Sequence, residues 1–404
     1  MKRIFFLLTV ILLCFLTACG NGSKNVSSEE IETGMTATPT ETQKIPETTA
    51  PSDTEGDSLD PYVAMLMSGS YYASPYESPE YAYNVYTSSR DDSGYVIIKA
   101  YLGNSSIVTV PDTMDGYPVI GMYHSIFEKC DFISEVTFPE TLRTVIFNSR
   151  ADISTCMTNT QWYQSQPDGV YYAANVAIGY KGDMPANSTI TFREGTLGIG
   201  SRAFRKQKNL VGITIPESLL MISDDAFAGS GLAEVTIPCS LQYYFGAFGS
   251  CNALKRVTFQ EGIEEIRGTV SGSAVEEVIL PSTLVTIGEK AFMRCESLLS
   301  ITLPDSVRVI KDSAFYDSGL VHIELNDGLL FIGKNAFMGC RDLKSIYIPA
   351  SVTDLGIKPM GFVYDDTPVK GFVAYFEENC NIMEFLQGIG VTCEIGTRAS
   401  ANGG

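Results

Sequence analysis

Two histidines and one tryptophan occur in 404 residues, and the two histidines, His124 and His322, lie about 200 residues apart. The sequence has no Cys-x-x-Cys pair, no His-Glu-x-x-His, no Gly-x-Ser-x-Gly and no P-loop. The commonest signatures of thiol redox, zinc hydrolysis, serine hydrolysis and nucleotide chemistry are therefore missing. Positive charge is also scarce, with 28 Lys and Arg against 47 Asp and Glu. Phosphate binding is driven by basic patches, so a nucleic-acid partner is excluded. Acidic pairs such as Asp91-Asp92 and Glu264-Glu265 are common, but adjacent strand residues face opposite ways and make poor acid–base dyads. No cofactor and no enzymatic activity are expected.

Long apolar runs are lacking except at the start, where Ile4 to Leu16 follows Lys2 and Arg3. That run is shorter than the roughly 20 residues a membrane span needs, and its basic start and small-residue end read as a signal peptide over residues 1–19. Its close, Leu16-Thr17-Ala18-Cys19, resembles the bacterial lipobox. The resemblance implies a lipid on Cys19 and hence a membrane anchor, with ordinary cleavage as the alternative. Loss of the two basic residues takes the net charge from −19 to −21. Residues 20–58 are rich in Thr, Ser, Glu and Pro, too polar to offset their ordering entropy by burial. Read as a flexible stalk, they span on the order of 35 Å at roughly 5–6 Å × √n.

What is abundant is repetition. "IGEKAFMRCESLLSITLPDSV" returns 45 residues later as "IGKNAFMGCRDLKSIYIPASV". Aligned on Ala-Phe, the chain places Phe204, Phe227, Phe248, Phe292, Phe315 and Phe337 at steps of about 22 residues, with Val270 in the gap. So regular a period means stacked supersecondary units. Within each unit an Ile-x-Leu or Ile-x-Ile step alternates like a strand and a following proline closes it. Ten strands are expected near residues 109, 137, 191, 214, 236, 258, 279, 302, 324 and 347. Two units depart from the pattern: "LQYYFGAFGSC" lacks Ile-Gly and "IRGTVSGSAVEEV" lacks Ala-Phe, so the coils there are expected to be irregular.

The "LxxIxIPxSVxxIGxxAFxxC" unit is similar to the leucine-rich repeats of BspA-like bacterial surface proteins, over roughly residues 95–395. The resemblance implies a right-handed leucine-rich-repeat solenoid, mainly β with short helical turns, outside a bacterial cell, where adhesion or ligand binding is attributed to some members. The expected division is an N-terminal cap at 59–106, a solenoid at 107–357 with a hairpin insertion at 146–187, and a C-terminal cap and tail at 358–404.

The cysteines three residues after each Phe, namely Cys130, Cys251, Cys295 and Cys340, sit on this ruler. The last three are two coils apart, roughly 9.5 Å at the strand spacing, too far for disulfides or one zinc site. They are read as small buried groups. Cys380 and Cys393 flank a helical stretch and are a candidate pair.

Recognition is expected where outward strand positions depart from the threonine ladder. Arg256, Glu277, His322, Glu324 and Tyr347 form the candidate patch, together with Glu234, Ser300 and Ser345, for an extracellular protein or glycan. Trp162 in the insertion is a candidate sugar platform. The tyrosine-rich stretch 62–86 is read as a cap for the first coil or as a second binding surface. Competing readings of the whole are an envelope scaffold without a specific ligand, and a glycan-active surface enzyme centred on the insertion.

Overall fold

The computed structural model describes residues 60–67, 71–88, 93–146, 157–362, 369–378 and 381–401. The stalk, Cys19, Cys156 and Cys380 lie outside the described residues, and with them the proposed lipid and the Cys380–Cys393 pair. Pro61–Gly404 forms one compact unit, a β-solenoid of about 13 turns with few helices.

Each coil has three sides, and each side is a hydrogen-bonded ladder. The first ladder is made by the Ile-x-Ile steps. Strands Glu234–Ile237, Arg256–Phe259 and Glu277–Ile279 pair parallel and in register, as do Ser300–Thr302 with His322–Glu324. All ten expected centres fall in strands. The ladder also runs on into the segment expected as a cap, where Val373–Phe376 pairs parallel with Ser345–Tyr347 and Thr392–Ile395 pairs parallel with Val373–Phe376.

The second ladder is made of two-residue strands that each end on an inward Ile, such as Glu265–Ile266, Thr286–Ile287, Val309–Ile310 and Phe331–Ile332. The third carries the Ala-Phe pairs. The Phe292 amide donates to Ala314 one coil on, Phe315 to Ala336 and Phe337 to Pro359, at 2.7–2.8 Å. Two left-handed residues flank each Phe on this side, two before it and two after it. Lys290 (φ 57°) and Arg294 (φ 58°) bracket Phe292; Ser313 (φ 57°) and Asp317 (φ 57°) bracket Phe315. Such a conformation disfavours L-residues, and it is held because both flanking amides join the ladder.

The core runs along the axis. Leu, Ile and Val from the first two ladders point inward, and the phenylalanines of the third are fully buried. Their rings stack in two runs. Phe204, Phe227 and Phe248 lie 5.3 and 5.2 Å apart; Phe292, Phe315 and Phe337 lie 5.4 and 5.3 Å apart. Val270 separates the runs.

At the N-terminal end, Tyr71–Glu77, Tyr81–Ser88 and Gly94–Tyr101 form an antiparallel meander whose last strand joins Tyr117–Tyr123 in parallel. Tyr83 and Tyr95 are buried in it, whereas Tyr72 and Tyr76 of the outermost strand are exposed. In the insertion, Gly169–Ala173 and Val176–Lys181 form an antiparallel hairpin, and the second of these strands joins Gly198–Ile199 in parallel. The insertion is thus built into the second ladder.

Candidate ligand-binding faces

The outward positions of the first ladder are the first candidate. Parallel pairing sets Glu234, Arg256 and Glu277 side by side on successive coils. Arg256 Nε lies 2.8 Å from Glu277 Oε2, and Nη1 lies 3.9 Å from Glu234 Oε2. Lys255 and Glu276 pair beside them at 2.5 Å. The Glu277 hydrogen bond raises the Arg256 guanidinium above its ordinary value. Pairs this exposed contribute little stability, so they can be exchanged for a partner's groups at small cost.

His322 and Glu324 form a second group on one strand, with Nε2 3.7 Å from Oε1. Three rungs separate Arg256 from His322, roughly 14 Å at the strand spacing, and their strands belong to separately hydrogen-bonded sheets. Exposed Ile279 and Leu299 lie between them.

Tyr347 has different surroundings. The Arg398 guanidinium lies 5.1 Å over its ring and hydrogen-bonds to the Leu325 carbonyl and to Asp327, while Ser345 Oγ donates to the Ala401 carbonyl. The short C-terminal helix Arg398–Ala401 therefore covers this end of the patch. Trp162 is not on the surface at all. Its amide donates to the Ile133 carbonyl, as a rung of the first ladder would, and its buried ring meets Phe138 edge-on at 5.4 Å. A sugar has no access to that face.

The second candidate is a cleft where the second ladder parts. Elsewhere eight residues separate the corner leucine from the ruler position, as in Leu219 to Phe227 and Leu284 to Phe292; in Leu241 to Phe248 and Ile263 to Val270 there are seven. Tyr243 makes one isolated bridge to Met221, and Glu265 begins a separate sheet. Tyr244 is buried between these coils and donates its hydroxyl to the Glu265 carbonyl at 3.3 Å. The gap leaves a cavity of about 210 Å³ lined by Cys239, Gln242, Tyr243, Phe245, Glu264 and Arg267, among others. Tyr243 is fixed by donating to Asp224 Oδ1 at 2.9 Å. Glu265 accepts from Arg267 at 3.0 Å and Lys311 at 2.7 Å. Burial opposes its ionisation, and those two cations overcome it and hold the carboxyl below its ordinary range. The sequence signalled this place only as two irregular units.

The ruler cysteines are more than apolar filler. Cys251 Sγ donates to the Phe227 carbonyl at 3.2 Å, Cys295 to Val270 at 3.3 Å and Cys340 to Phe315 at 3.1 Å. Ser273 does the same to Phe248 at 2.9 Å in an intervening coil. Burial pushes the Cys295 thiol up to about 12 and the Cys340 thiol up to about 11, which removes the thiolate that thiol chemistry needs.

Three ladders, an axial aromatic spine and 22-residue coils define a leucine-rich-repeat solenoid. Residues 183–271 and 267–360 match, with six copies, the family described as the BspA type leucine rich repeat region. This region, residues 183–360, is therefore a BspA-type leucine-rich-repeat region. No curated protein matches the chain. Among solved structures, a leucine rich cell surface protein from Faecalibacterium prausnitzii is similar at 19% identity over 81% of this chain and 97% of its own, with a TM-score of 0.36. A leucine-rich repeat protein from Bacteroides ovatus shows 19% identity over 70% of this chain and 100% of its own, with a TM-score of 0.31.

Proposed function

We propose that the protein is a lipid-anchored binding protein of the bacterial cell surface, holding an extracellular protein or glycan on the outward face of its first ladder without enzymatic chemistry. The observation that carries this reading is the break in the threonine ladder. Thr109, Thr137, Thr191, Thr214 and Thr236 stand exposed at the central strand position. Of the later coils two keep it as Thr258 and Thr302 while the others present Ile279, Glu324 and Tyr347 there, with Arg256, Glu277 and His322 two residues earlier on the same outward face. A solenoid's rungs hold such side chains at a fixed spacing of about 4.8 Å, so little order must be gained on binding.

Arg256 flanked by two carboxylates suits a partner that supplies its own alternating charges or hydroxyls, because each exposed pair can be replaced rather than left unmet. The lipobox at Cys19 supports anchoring, and the following polar stretch supports a tether long enough to lift the solenoid off the bilayer. The test is an array of glycans and extracellular matrix proteins probed with the chain and with Arg256→Ser/Glu277→Ser. Binding by the chain that the double variant loses, at unchanged melting temperature, is the expected result. Equal binding by both proteins would place recognition elsewhere.

A further inference from the structure

We infer that the parted second ladder is a binding site for one neutral pyranose ring, seated between the coil of Tyr243 and the coil of Glu265. The site deepens the binding-protein reading by giving it a sugar-sized subsite, yet it uses none of the first-ladder residues.

The cavity is built rather than incidental. Two successive coils each lose one residue at the same corner, and Tyr244 occupies the place that Ile222 and Ile287 fill in their coils. The larger ring parts the coils, and its hydroxyl satisfies the Glu265 carbonyl so that the gap leaves that acceptor met. The walls are fixed. Tyr243 is pinned to Asp224, and Phe245 lies close over Gly268, where an added Cβ would come within 3.1 Å of its ring.

Size and chemistry select the ligand. At about 210 Å³ the cleft is smaller than the roughly 300–1,000 Å³ that drug-sized ligands fill, so it takes one ring. Tyr243 and Phe245 offer apolar faces for the C–H face of a sugar, while Gln242 and Glu264 offer planar polar groups to its hydroxyls. Charge favours a neutral guest. Glu264 and Glu265 are balanced by Arg267 in the wall and Lys311 behind it. A net charge of −19 on the chain further disfavours anionic sugars.

Cys239 supplies a native reporter, because it lines the cleft and is exposed. The experiment measures alkylation of Cys239 by iodoacetamide, read by peptide mass spectrometry on the full-length protein. The probes are the methyl pyranosides of glucose, galactose, mannose and N-acetylglucosamine, with N-acetylneuraminic acid and lysine amide as charged controls. At least one neutral pyranoside is expected to slow alkylation about five-fold at about four times its Kd, by mass action, and to give saturation-transfer NMR signals. Glu264→Gln, an exposed substitution, should lose the protection. Cys239→Trp, which fills the rim, should abolish the NMR signals, both at unchanged melting temperature. The inference is overturned if no neutral pyranoside protects Cys239, if a charged control protects equally, or if both variants still bind. Loss of array binding in Arg256→Ser/Glu277→Ser is independent of all these outcomes, so the two sites stand or fall separately.

Discussion

Replacing Phe315 by Leu should cost more stability than replacing Phe292 by Leu, although both rings are fully buried. Phe315 stacks on two rings, at 5.4 and 5.3 Å, whereas Phe292 stacks on Phe315 alone because Val270 occupies its other side. Leucine keeps most of the buried apolar area and removes the stacking. An aromatic pair contributes about 0.5–1.5 kcal/mol beyond its burial. Phe315→Leu thus loses two such contributions and Phe292→Leu one, a difference of about 1 kcal/mol. Truncation to Ala adds the cavity and should cost about 3–5 kcal/mol at either position. Urea unfolding followed by circular dichroism and by tyrosine fluorescence measures this, and coincident curves establish that one transition is being compared. Equal losses for the two Leu variants, or a larger one for Phe292→Leu, would refute a stacked spine that contributes beyond burial.

Other consequences are as direct. In the native protein at mildly alkaline pH, iodoacetamide should modify Cys239, which is exposed, while Cys251, Cys295 and Cys340 react only after denaturation; labelling of Cys295 at the Cys239 rate would contradict the thiol burial. Burial lowers His124 from 6.5 to about 4, so its folded form is neutral and its contribution is complete above about pH 6.5. That contribution declines as pH falls from 6.5 towards 4, by up to about 3 kcal/mol and less where solvent reaches the residue. The loss of melting temperature over this range should be shallower in His124→Gln, and an unchanged slope would count against the shift. Arg294 is exposed in a left-handed conformation, so Arg294→Gly should be neutral or stabilising by about 0.5 kcal/mol, whereas a clear loss would mean that its side chain matters.

The solenoid was legible because its rungs are hydrophobic: a buried Phe or Leu at fixed spacing leaves a period in the sequence. The left-handed positions beside each Phe left none, since Arg, Lys, Asp, Ser, Asn and Gly all occupy them and the third ladder's backbone bonds hold them there. The strands Val373–Phe376 and Thr392–Ile395 extend the first ladder without an Ala-Phe corner, so the alignment that found the other rungs stops short of them. At the candidate patch, side-by-side placement of Arg256 and Glu277 follows from register alone. The cover over Tyr347 does not, because Arg398 reaches it from 51 residues further along the chain. Trp162 drew notice as the lone tryptophan, but an amide on the Ile133 rung turns its ring into the core. The cleft shows in sequence only as two missing residues, and its shape depends on where Tyr244 goes.

The central claim is that the repeat carries the fold while departures from it carry recognition. A variant with Arg256→Ser, Glu277→Ser and Glu324→Thr returns the first ladder to residue types found on its other rungs. Binding to whichever array component the unaltered chain retains, measured beside the melting temperature, tests the claim most directly. The account predicts an unchanged melting temperature with binding lost. Binding retained in full, or lost only together with the fold, would contradict it.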